Sequence, residues 1–364
     1  MKLQSRLVIG FLIASCLTGA VATVVGITAI NRNTLEEVQR KVQQDIHTAE
    51  LIYFYNLERL QYQLEFISLR SPLQEAIRQN DPATLTNLEV LIRTGTSNKG
   101  DHSCLDMLTL VDAKGRVIYR VANPTAKGDS LLWDPVVSKC LREKRPQSSA
   151  VTMSLHTIED QNPRLTSRVV IPIVNTPQSV KIRDKVLTEG MVLRAAYPIR
   201  GTDGEFLGAL IGGILLNRDY GIVDSIKETV YHDETYRGRD IGFATIFLGP
   251  VRISTNVKTA DQKRAVGTIV SKEVYDRVIV RGQDWVGRAF VVDDWYISAY
   301  APLYDINKRI IGMFYTGILE AKYRDMKLYT IWLFIGITFV GMVIAFILSF
   351  RLGHSIIRRI RILK

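Results

Sequence analysis

His102, Cys104 and Asp106 alternate within five residues and bring together three side-chain types that ligate metals. No C-x-x-C, haem or zinc spacing stands beside them, so neither a metal nor a cofactor is expected. Gly95 and Gly100 have the glycine spacing of a phosphate-binding loop. Asp101-His102 follow, however, where a Lys and a Ser or Thr must reach the phosphates and Mg²⁺. H-E-x-x-H, G-x-S-x-G and Walker A patterns do not occur, and the five His are scattered. Catalysis within these residues is therefore not expected, which leaves binding. Arg194 stands inside the apolar run Gly190–Ile199. A buried guanidinium is costly unless paired, either with a structural carboxylate or with an anionic ligand held as a bidentate fork. Cys104 and Cys140 fit either a bridge closing a loop of about 35 residues or two buried thiols.

The elements that must position these groups start at the membrane. Residues 7–30 and 328–350 are two long uncharged runs, and about 20 apolar residues cross a bilayer as a helix. The first is longer than the apolar core of a signal peptide, despite Ala20-Val21-Ala22, and reads as a retained span. Lys2 and Arg6 precede it, while Arg351, Arg358, Arg359, Arg361 and Lys364 follow the second. The positive-inside rule places both ends in the cytoplasm and residues 31–327 outside. Of the net charge of +11, only +4 belongs to that outer segment, so the basic balance marks topology and not a nucleic-acid surface.

Between the spans, Leu35, Val38, Val42, Ile46, Ala49, Tyr53, Leu57, Leu60, Leu64 and Ile67 recur at helical steps. This long helix over 31–80 could pack on its own domain, on a second copy, or on both along different stretches. A second helix is predicted from Asp81-Pro82 to just before Gly95. A hairpin follows at 107–121, with later strands at 167–174, 190–199 and 206–216 and an inserted polar loop at 175–189. An internal repeat then stands out. Pro198, Gly208 and Gly213 recur as Pro302, Gly312 and Gly317 at a constant offset of 104. Upstream, Thr109 to Val121 aligns with Thr245 to Val257 at an offset of 136. Each half thus runs hairpin, loop, short helix and three strands.

Gly242-Phe-Ala-Thr-Ile-Phe247, Arg252-Ile-Ser-Thr-Asn-Val257, Lys263-Arg-Ala-Val-Gly267, Gly287-Arg-Ala-Phe290 and Trp295-Tyr-Ile-Ser-Ala-Tyr300 resemble the membrane-proximal module of a double Cache sensor. Gly190-Met-Val-Leu193 and Gly212-Gly-Ile-Leu-Leu-Asn217 resemble its membrane-distal partner. The resemblance covers 31–327 and implies an α+β fold of two tandem PAS-like modules, distal at 81–222 and proximal at 223–327, on a long N-terminal helix between two transmembrane helices. Residues 351–364 resemble the start of a HAMP linker, with Ile360 where that family carries a proline. A cytoplasmic tail at 1–6 completes the division.

The resemblance also implies a function. It points to a two-pass receptor of the bacterial inner membrane, a homodimer sensing a small, anionic molecule outside and signalling to a cytoplasmic histidine kinase. A chemotaxis receptor or a ligand-free dimerisation module are the alternatives. In PAS-like modules the ligand lies on one face of the sheet. Strand alternation and the repeat register point Arg194 into the distal pocket, and Arg120, Asp129, Arg168 and Tyr197 are the other distal candidates. The proximal candidates are Asn256, Tyr296, Ser298 and Tyr300.

Overall fold

The computed structural model describes residues 3–69, 73–74, 77–78, 105–176, 178–292 and 294–362. Its first element, α1 (Leu3–Ser68), is one unbroken helix of 66 residues. The sequence predicts a span and a separate helix here. Asn31-Arg32-Asn33 joins them without Gly or Pro, and Arg32 pairs with Glu36 one turn on at 2.8 Å, so nothing interrupts the backbone ladder. The predicted helix from Asp81 lies outside the described residues.

Two compact units follow from the contacts: the chain to Lys41 together with the chain from Glu320, and Val42–Leu319. In the second unit, β1 (Met107–Asp112), β2 (Val117–Arg120), α2 (Pro135–Glu143), β3 (Gln147–Ser154), α3 (Leu155–Gln161), β4 (Glu189–Arg200) and β5 (Phe206–Leu215) come first. The strands form an antiparallel sheet in the order β2-β1-β5-β4-β3. Then come α4 (Gly221–Tyr231), β6 (Gly242–Leu248), β7 (Val251–Thr255), β8 (Trp285–Val291), β9 (Asp294–Tyr304) and β10 (Ile310–Leu319). They repeat the same order as β7-β6-β10-β9-β8. The edge strand β3 was not foreseen. The predicted strand at 167–174 is instead a helical turn, Thr166–Val169, and a two-residue strand, Ile171–Pro172.

The repeat glycines have a steric origin. Gly208 pairs with Asp112, and Gly312 pairs with Leu248. A Cβ at Gly208 would strike the carbonyl oxygen of Val111, and one at Gly312 that of Phe247. Both central hairpins therefore need a residue without a side chain at the same point.

Each sheet has two covered faces. The α1 face receives Val42, Ile46, Ala49, Tyr53, Leu57, Leu60 and Leu64, all buried. Leu60 and Leu64 lie against Gly212 of the distal sheet, while Tyr53 meets Phe314 of the proximal sheet edge-on at 4.8 Å. Each of the Val, Ile and Leu side chains among them contributes roughly 1.5–3 kcal/mol on burial. The periodicity of α1 was read correctly from Val42 to Leu64, and Leu35 is exposed. The opposite face of the distal sheet packs Val111, Val117, Val192, Ala196 and Ile211 against Val136, Val137 and Cys140 of α2. Cys140 is a buried free thiol pushed up to about 12, first by burial and then by Glu143. Its proposed bridge partner Cys104 lies outside the described residues.

The polar loop after Ile171–Pro172 straps the two sheets together. Thr176 Oγ1 donates to the carbonyl of Ile269 (3.2 Å), and Val180 N–H donates to that of Val270 (3.1 Å). Lys272 N–H in turn donates to the carbonyl of Gln178 (3.0 Å).

In the first unit, α5 (Glu320–Ile362) carries the second apolar run. It and α1 are both long and apolar enough to cross a membrane. Small residues let the two approach: Gly26 lies against Phe334, and Gly19 against Met342 and Thr338. Val21, Val24, Ile337 and Val340 remain exposed, as lipid-facing positions require.

Candidate functional site

The distal site is built where β1, β2 and β4 meet α2. Asp134 caps α2: its Oδ1 accepts from Val136 N–H (2.9 Å) and Val137 N–H (3.3 Å), and Pro135 opens the helix. The other oxygen, Oδ2, accepts from Arg194 Nε at 2.9 Å. Both residues are fully buried. Arg194 is thus paired, as one of the two sequence readings required, but through Nε alone. Its Nη1 and Nη2 are buried without a hydrogen-bond partner among the described residues. Burial pulls the guanidinium below its ordinary value, and Asp134 counteracts this. Gly213 leaves the space beside Nη1, where a Cβ would stand 3.2 Å away.

Arg120 on β2 shares this interior. It donates to both oxygens of Asp129 (2.7 and 2.6 Å) and to the carbonyl of Ala126 (2.7 Å). The Gln161 amide, turned with its nitrogen toward Thr109 Oγ1 (2.7 Å), offers its oxygen to Arg120 Nε (3.1 Å) and Nη2 (3.2 Å). Arg120 is 1% exposed and Asp129 48%, so the pair fixes the loop 121–134 over a buried cation. The hydrogen bond from Arg120 holds the Asp129 carboxyl below its usual range. Arg120, Asp129 and Arg194 are therefore brought together, and Asp134 joins them. Sequence reasoning missed Asp134, although Asp before Pro at a helix start is a recognisable cap.

Two distal candidates stand elsewhere. Tyr197 is out of phase with Arg194 on β4, so it faces α1, where its hydroxyl donates to Glu65 Oε1 at 3.0 Å. Arg168 ties the end of β5 to its neighbours through Asp106 (3.2 Å), the carbonyls of Asn217 (3.1 Å) and Leu215 (2.5 Å), and Asp219 (3.4 Å). It is a structural clasp outside the pocket.

The proximal sheet shows the same face with different side chains. Tyr296, Ser298 and Tyr300 share it, as the repeat register predicts. Tyr300 packs edge-on to Trp285 (5.7 Å) and beside Tyr315 (4.9 Å), and Tyr296 packs edge-on to Phe243 (5.5 Å). Burial pushes the Tyr300 and Tyr315 hydroxyls up. A cavity of about 380 Å³ opens against Phe243 and Tyr296, rimmed by Arg239, Asp240, Lys258 and Gln262.

Asn256 is not part of this face. Thr109 pairs with Arg120, whereas Thr245 pairs with Thr255. The second hairpin has a turn one residue shorter, so the offset of 136 fails beyond it. The equivalent of Arg120 is Thr255, and Asn256 points the other way. There its side chain accepts from Ala244 N–H (2.7 Å) and donates to the Val223 carbonyl (2.9 Å). The same slip places Arg252, a residue the sequence did not single out, over Val117. Arg252 is buried on the tyrosine face.

Solved structures that match this chain include the periplasmic domain of Vibrio cholerae LuxQ (11% identity, 76% of this chain and 99% of that one, TM-score 0.44). The sensor domain of the V. cholerae histidine kinase DctB gives 12%, 78%, 98% and 0.43. The ligand-binding domain of the Pseudomonas aeruginosa amino acid chemoreceptor PctB, in complex with L-arginine, gives 13%, 80%, 97% and 0.36. No curated protein matches. Residues 214–328 match the family model of single Cache domain 3. Residues 31–235 match that of the periplasmic region of LuxQ, which takes in more than half of the chain. With two Cache-like sheets on one helix and apolar helices at either side, the chain belongs to the LuxQ periplasmic family of bacterial sensors.

Proposed function

We propose that this chain is the sensing half of a two-pass receptor of the bacterial inner membrane. Residues 31–327 lie in the periplasm, and the distal module binds a small anionic molecule. The observation that carries this reading is the pair of buried, unpartnered Nη atoms of Arg194. Leaving a charged donor buried without an acceptor costs on the order of a few kcal/mol, and a ligand carboxylate supplies the missing acceptors. Entry requires the loop 121–134 to lift, with Asp129 leaving Arg120. Exposed Leu132 and Trp133 sit on that loop.

Opening or closing the loop changes the packing of β4 and β5 on α1, and the change passes through the proximal sheet to α5. A coupling of about 1–3 kcal/mol is enough for a useful switch. The output after α5 is a histidine kinase in the first instance and a chemotaxis signalling region in the second. The residues present perform no catalysis of their own. The protein works as a homodimer, supported by the exposed stripe Leu51, Tyr55, Tyr62 and Leu69 on α1.

The test is a thermal-shift screen of the full chain in nanodiscs against organic acids and amino acids, with Arg194→Met as control. At least one compound should raise the melting temperature of the parent and not of Arg194→Met. A flat screen, or equal shifts in both proteins, sinks the distal assignment.

A further inference from the structure

Arg120, Arg168 and Arg194 each have an aspartate partner. Arg252 on β7 does not: among the described residues no carboxylate pairs with it. It is 4% exposed, and its guanidinium lies over the Phe247 ring at 5.1 Å. Nη1 donates to Thr268 Oγ1 at 2.8 Å. Nε is buried and makes no hydrogen bond among the described residues. The surroundings hold aromatic hydroxyls in place of acids. Burial lowers the pKa of Arg252, and the groups that act on it electrostatically are Tyr300, Tyr315 and Tyr296. Ser298 Oγ and the Tyr315 hydroxyl both stand beside the bare Cα of Gly317. Both are buried polar atoms that interact with each other and have no other hydrogen-bond partner among the described residues.

The distal module is different at each matching position. Val117 stands for Arg252, Ile211 for Tyr315, Ala196 for Tyr300 and Val192 for Tyr296. Apolar side chains take these four positions beside Arg194 and Arg120 in the distal sheet, whereas the proximal face carries tyrosines and Ser298 around Arg252. The cavity of about 380 Å³ reaches Phe243 and Tyr296 at one end of this face, and Arg252, Ser298 and Tyr315 are buried outside its lining. Its size suits a small metabolite.

We infer that the proximal module holds a second site, for a small monocarboxylate with an apolar body. The carboxylate would accept from the Nε–Nη2 edge of Arg252, which Thr268 does not use, and from the Tyr315 and Ser298 hydroxyls. Phe243 and Tyr296 would flank the apolar part. A guanidinium presents parallel N–H groups to a carboxylate, and one carboxylate neutralises one buried cation. This site stands apart from the distal one and does not depend on it.

The experiment titrates the full chain in nanodiscs with propionate, benzoate, inorganic phosphate and, as a neutral control, propionamide. Readouts are the melting temperature and the fluorescence of Trp285, which packs on Tyr300. Propionate or benzoate should raise the melting temperature and perturb the fluorescence, and propionamide should do neither. Arg252→Met should weaken binding about tenfold or more, and Tyr315→Phe or Ser298→Ala about threefold to tenfold. Arg194→Met should leave it unchanged, which separates this site from the distal one. If Arg252→Met does not fold, the two hydroxyl deletions decide alone. No response to either carboxylate overturns the proposal, as does a response kept in full by Tyr315→Phe and Ser298→Ala. A response to phosphate alone overturns the carboxylate assignment.

Discussion

Arg120 and Arg194 sit in one interior and are compensated in different ways. Arg120 is saturated by Asp129, Ala126 and Gln161, while Arg194 shares one oxygen of a carboxylate already committed to a helix cap. The first arrangement has a pH signature. Asp129 is held below its usual range by the hydrogen bond from Arg120, so its folded value lies below its unfolded one. Its contribution is present above the unfolded value and is lost as pH falls through the folded one. Asp129→Asn should therefore lower the melting temperature at pH 7, and the gap to the parent should narrow steadily below about pH 4. A gap that is constant from pH 7 to pH 3 would show that the pair does not titrate with folding. At this scale the sequence was informative wherever strand alternation held. Arg194, Ser298 and Tyr300 fell on the expected face. Tyr197 failed because it is three residues along the same strand, an odd step. Asn256 failed because one residue fewer in a turn reverses every later side chain, and spacing alone does not reveal where such a deletion lies.

Among the elements, the central hairpins carry the most specific constraint. Gly208 and Gly312 each sit against a backbone carbonyl that cannot move without breaking its sheet. Gly208→Ala and Gly312→Ala should each cost roughly 2–4 kcal/mol, read as a lower unfolding midpoint in denaturant. A loss within about 0.5 kcal/mol, typical of a surface substitution, would contradict the steric account. The repeat was legible because these glycines are fixed by such contacts and Pro198 and Pro302 recur at the same offset. The edge strand β3 was not, since Gln147–Ser154 is mostly small and polar and lacks a clear apolar alternation. The single continuous α1 was half legible: its apolar spacing showed the buried stripe, but a polar triplet between two helical stretches looks like a boundary when it is only a change of solvent.

For the molecule as a whole, two connections run between the modules besides the covalent chain. One is α1, which lines both sheets. The other is the strap at 174–180, which bonds to the segment 267–272 that carries Thr268, the partner of Arg252. Packed side chains and backbone bonds thus run without a break between the two modules, a physical route along which coupling could be tested. The exit from this assembly has its own character. Strand β10 lies in the middle of the proximal sheet and ends at Leu319, and α5 begins at Glu320. No loop residue separates the strand from the helix. Each residue added there turns everything downstream by about 100° and advances it by about 1.5 Å. A series of one to seven alanines inserted between Leu319 and Glu320, with a reporter kinase fused after Lys364, should give activity that rises and falls with a period near 3.6 residues. A smooth decline with length would mean that the joint behaves as a tether. An oscillation would make the sensor's output a matter of angular phase, set like the timing of a camshaft by how one strand hands its direction to one helix.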